Sequence, residues 1–137
     1  MDRFVKNFIV ASIVYLAVAS VIGILMIMNT NMLTLKFVHS HFMLIGWVSM
    51  MIYGVGYHIL PRFSGKLIKS KMIGEIQFWL ANIGLIGMVI FYTLQQSAPE
   101  NGVYKSLTGL SGVLQLLSSI LFFYNMLATL LPKADED

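Results

Sequence analysis

The chain has 137 residues, 58% of them hydrophobic and only 11% charged, with a formal net charge of +3 and no cysteine. Soluble domains carry charge on roughly a quarter of their residues, so this composition excludes a water-soluble globule and points to a membrane protein. Without cysteine there are no disulfides, thiolate zinc sites, iron–sulfur clusters or covalently attached c-type haem, and so small and scattered a charge does not read as a nucleic-acid surface.

A helix needs about 20 apolar residues to cross a bilayer core, and four stretches supply them. The first covers about residues 8–28. It follows Arg3 and Lys6 and holds a small-x-small Ala17-Val18-Ala19, as a signal peptide would, but the apolar run continues to Met28 and so reads as a retained span. Asn29-Thr30-Asn31 is a turn cluster. The second run covers about residues 33–60 and is expected to stop at Pro61. A basic loop opens with Arg62-Phe63-Ser64-Gly65-Lys66. The third run covers about residues 73–94, a polar loop follows from Gln95 to Gly102, and the fourth covers about residues 107–131, ahead of Pro132. Lys133-Ala134-Asp135-Glu136-Asp137 reads as a solvated tail.

The runs are long and do not alternate, which predicts helices rather than a barrel. Short links favour antiparallel neighbours, so the expected fold is all-α, an integral membrane four-helix up-down-up-down bundle forming one domain over residues 1–137. The expected side of the N-terminus, second loop and C-terminus carries Arg3, Lys6, Arg62, Lys66, Lys69, Lys71 and Lys133. The opposite side has Lys36 and Lys105. That asymmetry predicts cytoplasmic termini and contact between the basic side and anionic membrane lipid.

All three histidines, His39, His41 and His58, fall in the apolar stretch Val38–Phe63. Positions two apart on an α-helix differ by about 200°, so His39 and His41 project from opposite flanks and cannot share one metal in a regular helix. A chelating pair would use an i,i+4 spacing. The spacing suits two large flat cofactors, or two partners, on either side of one helix. Met43, Gly46, Met50, Tyr53 and Tyr57 share the His39 flank; Ile45, Val48, Ile52, Val55 and Ile59 share that of His41. Gly46 has room for a macrocycle or another helix to approach the backbone.

The plain alternative is that membrane histidines hydrogen-bond between helices. Two on one apolar helix favour a functional site, because ionisable groups inside spans are costly. His58 is different: beside Pro61 and Arg62, at a helix end, it reads as structural. Gly84, Gly87, Gly109, Gly112, Ser118 and Ser119 read as close-packing positions, and Asn82, Gln115 and Asn125 as groups hydrogen-bonded internally. Glu75 is expected to offset Lys69 or Lys71.

The residues His39-Ser40-His41, then Gly46-Trp47, then Tyr57-His58-Ile59-Leu60-Pro61-Arg62 resemble the tenth helix of subunit I in haem–copper oxidases, closest to the C-family oxidases and their nitric oxide reductase relatives. The resemblance covers about 25 residues. It implies that His39 corresponds to the ligand of the high-spin haem and His41 to that of the low-spin haem. It implies no ligand role for His58, and a location in the inner or plasma membrane of a prokaryote. The copper-binding histidines and most of the family's spans have no counterpart here, so oxygen reduction, nitric oxide reduction and proton pumping are not implied.

The resulting expectation is a small cytochrome binding haem b through His39 and His41, for electron transfer or redox or gas sensing. Met26, Met28 or Met32 could supply a second axial ligand. Alternatively a homo-oligomer could supply it, either a ring such as a trimer, facing His39 of one copy to His41 of the next, or a two-fold dimer pairing His41 with His41. Lys36 and Lys105 lie at the correct end to neighbour haem propionates. The expected redox partner is a protein or a quinone. Copper binding through histidine and methionine is one rival; a cofactor-free accessory subunit is the other. With no carboxylate pair, nucleophile–base set or phosphate loop, independent catalysis is not expected.

Overall fold

The computed structural model describes residues 1–131, so Pro132 and the tail from Lys133 lie outside the described residues. Four helices account for almost all of the described chain: α1 (Arg3–Met28), α2 (Thr30–Phe63), α3 (Lys71–Ser97) and α4 (Gly102–Leu130). Each is long and apolar enough to cross a membrane. The chain is an all-helical integral membrane protein.

Local chemistry sets the helix ends. Asn29 leaves α1 in an extended conformation, and its Oδ1 accepts a hydrogen bond from the Asn31 amide at 3.0 Å. The Asn turn therefore occupies a single break, and α2 starts at once. The expected stop at Pro61 does not occur, since α2 runs through it to Phe63. A proline lacks the amide that would bond four residues back, so it loosens the turn before it without ending the helix after it. Termination falls instead to Gly65, the only described residue with a left-handed backbone (φ 64°). Its amide donates to the Arg62 carbonyl at 3.1 Å and the Lys66 amide to that of Pro61 at 2.8 Å, a glycine-closed helix end. The Ser70 hydroxyl caps α3 by accepting from the Ile73 amide, and Asn101 caps α4 by accepting from the Val103 amide.

Helix α2 is not uniform. It opens with a 3-10 stretch (Thr30–Leu35), becomes α-helical at Lys36–His41, widens to a π-helix over Phe42–Ser49, and returns to α at Met50–Phe63. Single π turns are usual; eight π-helical residues are not.

The contacts establish an up-down-up-down arrangement. Phe8 of α1 lies against Tyr53, while Tyr15, further along α1, lies against Gly46, earlier on α2, so these two helices are antiparallel. Phe4 packs on Gly74 and Tyr15 bonds to Asn82, so α1 and α3 run the same way. Gly84 meets the Ser111 and Gln115 backbones, which pairs α3 tightly with antiparallel α4. An aromatic cluster of Phe4, Phe8, Tyr53, Tyr57, Phe78 and Phe122 fills the half of the bundle where α1 and α3 begin.

That half also holds the polar lock. Tyr57 donates to Gln77 Oε1 at 2.7 Å, and Asn125 Nδ2 donates to the Ser70 carbonyl at 2.8 Å while its Oδ1 accepts from the Ser70 amide at 3.1 Å. Gln77 and Asn125 are both 0% exposed. Asn82 is likewise bonded, accepting from the Tyr15 hydroxyl and donating to the Phe78 carbonyl. Gln115 departs from expectation, because its Oε1 has no partner among the described residues. Lys71 pairs with Asp2 at 2.7 Å rather than with Glu75.

The glycines divide. A Cβ at Gly84 would lie 2.9 Å from both the Gln115 amide nitrogen and the Ser111 carbonyl oxygen, and one at Gly87 would lie 2.6 Å from Ser111 Oγ. Gly109 and Gly112 have nothing within 4 Å, so the expectation of close packing fails for both: a side chain at either would enter open space. Gly84→Leu is therefore expected to destabilise the bundle by about 1–3 kcal/mol through overpacking against backbone. Gly109→Leu is expected to leave stability in detergent unchanged or slightly raised, read as the midpoint of thermal unfolding for both variants.

Candidate functional site

The short α-helical stretch Lys36–His41 carries both histidines of the pair. Because it is regular, the two side chains leave on different flanks, as their spacing requires. His39 turns to α1, where its Nδ1 lies 2.9 Å from the Ala19 carbonyl oxygen. Gly23, one turn further along α1, makes the space: a Cβ there would stand 3.0 Å from the ring's Cε1. His41 turns the other way. Its Nδ1 lies 2.8 Å from the Phe37 carbonyl oxygen of its own helix, and its ring stacks on Phe37 with centroids 3.8 Å apart. Phe37 in turn stacks on Tyr92 of α3 at 3.7 Å.

A carbonyl oxygen only accepts, so each Nδ1 must carry the proton and donate it. In a neutral ring that is the Nδ1–H tautomer, which leaves the lone pair on Nε2. This is the form in which histidine ligates a metal, with the second ring nitrogen tied to a carbonyl that fixes the ring. Both rings are half-buried.

His58 is in a different state. Arg62 Nη1 sits 2.6 Å from its Nε2. A guanidinium has no acceptor, so Nε2 accepts the bond and its lone pair is engaged. The imidazole meets Arg62 one turn on.

Gly46 is enclosed by α1. A Cβ at this position would fall 2.7 Å from Tyr15 Cβ and Cγ. Of the two occupants its flank admits, a macrocycle or a helix, the space is taken by Tyr15, and Gly46 does not belong to an open cofactor face. Further along α2 the flank of Met50, Tyr53 and Tyr57 is buried, while Ile52, Val55 and Ile59 on the other flank are exposed. The expected flank thus persists across the widened segment Phe42–Ser49: His39, Gly46, Tyr53 and Tyr57 all meet α1.

Of the methionines considered as ligands, Met26 is half-buried and shares the Gly23 face of α1, whereas Met28 and Met32 are exposed. Lys36 and Lys105 are both exposed at the histidine end. Among the described residues no three His, Asp or Glu side chains come together as a metal-holding group. Clefts open at the basic end and along the outer face of α2, and neither His39 nor His41 lines any of them. The residues the sequence did not single out here are Tyr15, Ala19, Gly23, Phe37 and Tyr92. Only the i,i+4 spacing of Phe37 and His41 gave a local signal.

No protein-family model matches the chain, and no curated protein sequence matches it.

The tautomers can be checked directly. Long-range proton–nitrogen correlation spectra of the detergent-solubilised protein are expected to show His39 and His41 protonated at Nδ1. Free histidine favours the other tautomer, so Nε2–H signals for this pair would contradict the hydrogen bonds described.

Proposed function

We propose that this chain is a small b-type membrane cytochrome that transfers single electrons, in which His41 and its counterpart in a second copy of the chain would hold the haem. The observation that carries this reading is the state of the His41 ring: Nδ1 is anchored on the Phe37 carbonyl and its face on Phe37, so Nε2 keeps its lone pair. Haem, when bound, supplies a one-electron iron couple, and two histidine ligands leave no open position for a substrate.

The donor chemistry fits a haem, whereas the interior of one chain does not offer it space. Tyr15 fills the approach to Gly46, and the His39 ring is packed edge-on into the Gly23 notch of α1. A ring of copies matching His39 to His41 would have to open that notch. A two-fold dimer with His41 facing His41 does not, because an isologous contact uses the same surface from both copies. His39 then positions α1 against the ligand-bearing turn, and exposed Lys36 and Lys105 are the cations nearest to any propionates. The basic loop side, with Arg62, Lys66, Lys69 and Lys71, faces the cytoplasm, together with both termini. A protein or a quinone is the electron donor or acceptor. The short likeness of Val38–Phe63 to the tenth helix of haem–copper oxidase subunit I supports the same ligand assignment for His41.

A second reading rests on the same contacts. Both histidines have a hydrogen-bond partner in the protein already, as inter-helix glue would, and an accessory subunit without a cofactor needs nothing more. Copper bound by His41 and a methionine is the remaining alternative.

An oxidised and dithionite-reduced optical spectrum of protein purified with haem supplied separates the three. A cytochrome is expected to show a Soret band and sharp reduced bands at one haem per two copies. His41→Ala should remove them, and His41→Met should retain pigment with an altered spectrum and a raised potential. His39→Ala should weaken haem retention but leave the spectral type unchanged. A colourless protein that assembles normally would establish the accessory reading, and stoichiometric copper without a Soret band would establish the copper one.

A further inference from the structure

We infer that the basic end of α2 is a binding site for one anionic phospholipid, with the phosphate held beside Arg62 and Lys66 and an acyl chain lying in the groove that runs from there along the outer face of α2. A cleft of about 380 Å³ opens between the start of α1, the end of α2 and the following loop, and Arg62, Lys66 and Lys71 line it. Lys71 is tied to Asp2, but among the described residues neither Arg62 nor Lys66 has a carboxylate partner. Arg62 is held in place by His58, which accepts from a single guanidinium nitrogen, so its remaining donors stay available in the fork geometry that suits a phosphate. Lys66 is likewise fixed, donating to the Leu130 carbonyl at 3.1 Å.

The cleft does not end at the charges. A second hollow of about 440 Å³, lined by His58, Ile59, Arg62 and Phe63, adjoins it at His58 and Arg62. A third of about 350 Å³ continues past Ile59 down to Met51. Gly56 lines it, and a Cβ there would stand 3.3 Å from the Phe122 ring. From Arg62 to Met51 the helix rises roughly 16 Å, against about 15 Å for half of a bilayer's hydrocarbon thickness. The path is thus cationic where headgroups lie, apolar where one leaflet's chains lie, and about as long as that leaflet is deep. A soluble phosphate would use only the upper cleft. The chain's own acidic residues Asp135, Glu136 and Asp137 bring negative charge without anything to fill the groove.

Native mass spectrometry tests the site on the full chain, using phosphatidylglycerol and phosphatidylcholine with identical acyl chains. The expected result is at least tenfold tighter retention of one phosphatidylglycerol, the scale set by two cations beside a phosphate whose charge no choline ammonium offsets. R62A/K66A should abolish the preference. I59W should lower retention of both lipids by narrowing the groove while leaving the cations in place. Equal binding of the two lipids, a preference that survives R62A/K66A, or displacement by equimolar inorganic phosphate would overturn the proposal. So would a preference that emerges only after residues 133–137 are deleted, since the cleft would then belong to the acidic tail. Circular dichroism of each variant, compared with the parent, establishes that loss of binding is not loss of fold.

Discussion

In a bilayer, apolar side chains gain little by leaving lipid for one another, so a helix bundle depends on close backbone approach and on polar groups that must find partners. Here that constraint is met chiefly at Asn125. Its amide pairs with both backbone groups of Ser70 and also reaches the Tyr57 hydroxyl at 3.3 Å, while Tyr57 reaches Gln77. Ser70 is itself the cap of α3. One residue of α4 therefore fixes where α3 begins and where α2 lies against both. Each such bond contributes about 0.5–1.5 kcal/mol net, but leaving a buried amide unpaired costs about 1–3 kcal/mol. The lock thus acts less by strengthening this arrangement than by penalising any helix register that would strand Asn125 or the Tyr57 hydroxyl; Gln77 Nε2 has no partner among the described residues even here.

The pairing of α1 with α2 works by a different device, a side chain of one helix set into a glycine of the other. Gly46 receives Tyr15, Gly54 receives Phe8 and Ile9, and Gly23 receives His39 in the reverse sense. These notches need not fall at a constant helical phase. The widened stretch Phe42–Ser49 lies between the histidine turn and the buried Tyr53 and Tyr57, yet His39 before it and both tyrosines after it meet α1. Tyr15 at Gly46 sits in the middle of it, and its hydroxyl continues to Asn82, so α1, α2 and α3 meet within the π-helical stretch of α2.

The architecture was largely legible in the sequence because long apolar runs, turn clusters and short links are local signals. The four spans and their alternating direction follow from these alone. What was not legible depended on other helices. Gly84 and Gly109 look alike in sequence, yet one faces backbone and the other faces nothing. Pro61 reads as a terminator but lies within the last turn, and Gly65 supplies the stop. Gln77, one polar residue in an apolar run, became central only because Tyr57, twenty positions earlier, points at it. For the histidine pair, the spacing correctly sent the rings to different flanks. It could not say that the His39 flank is filled by Gly23 and Ala19 of α1, nor that Gly46 would be covered by Tyr15.

The two ends of the bundle are held very differently, and this bears on the cytochrome reading. The basic half has the amide lock, the aromatic cluster and the Asp2–Lys71 ion pair. At the histidine end the two helical hairpins are joined by the stack of Phe37 on Tyr92, an interaction worth about 0.5–1.5 kcal/mol beyond its burial. Resistance to local opening follows the density of such contacts, so the histidine end can adjust its helices at lower cost than the basic end. A ligand-bearing turn that must meet its counterpart in a second copy gains from that freedom, provided the ring itself does not wander. The Phe37 carbonyl and ring hold His41 within its own helix turn, so the imidazole keeps its orientation while the helix around it shifts. His39, anchored instead on a neighbouring helix, would lose its hydrogen bond in the same movement. On this argument the ring bonded within its own helix is the better ligand, and the one bonded across helices the better hinge post.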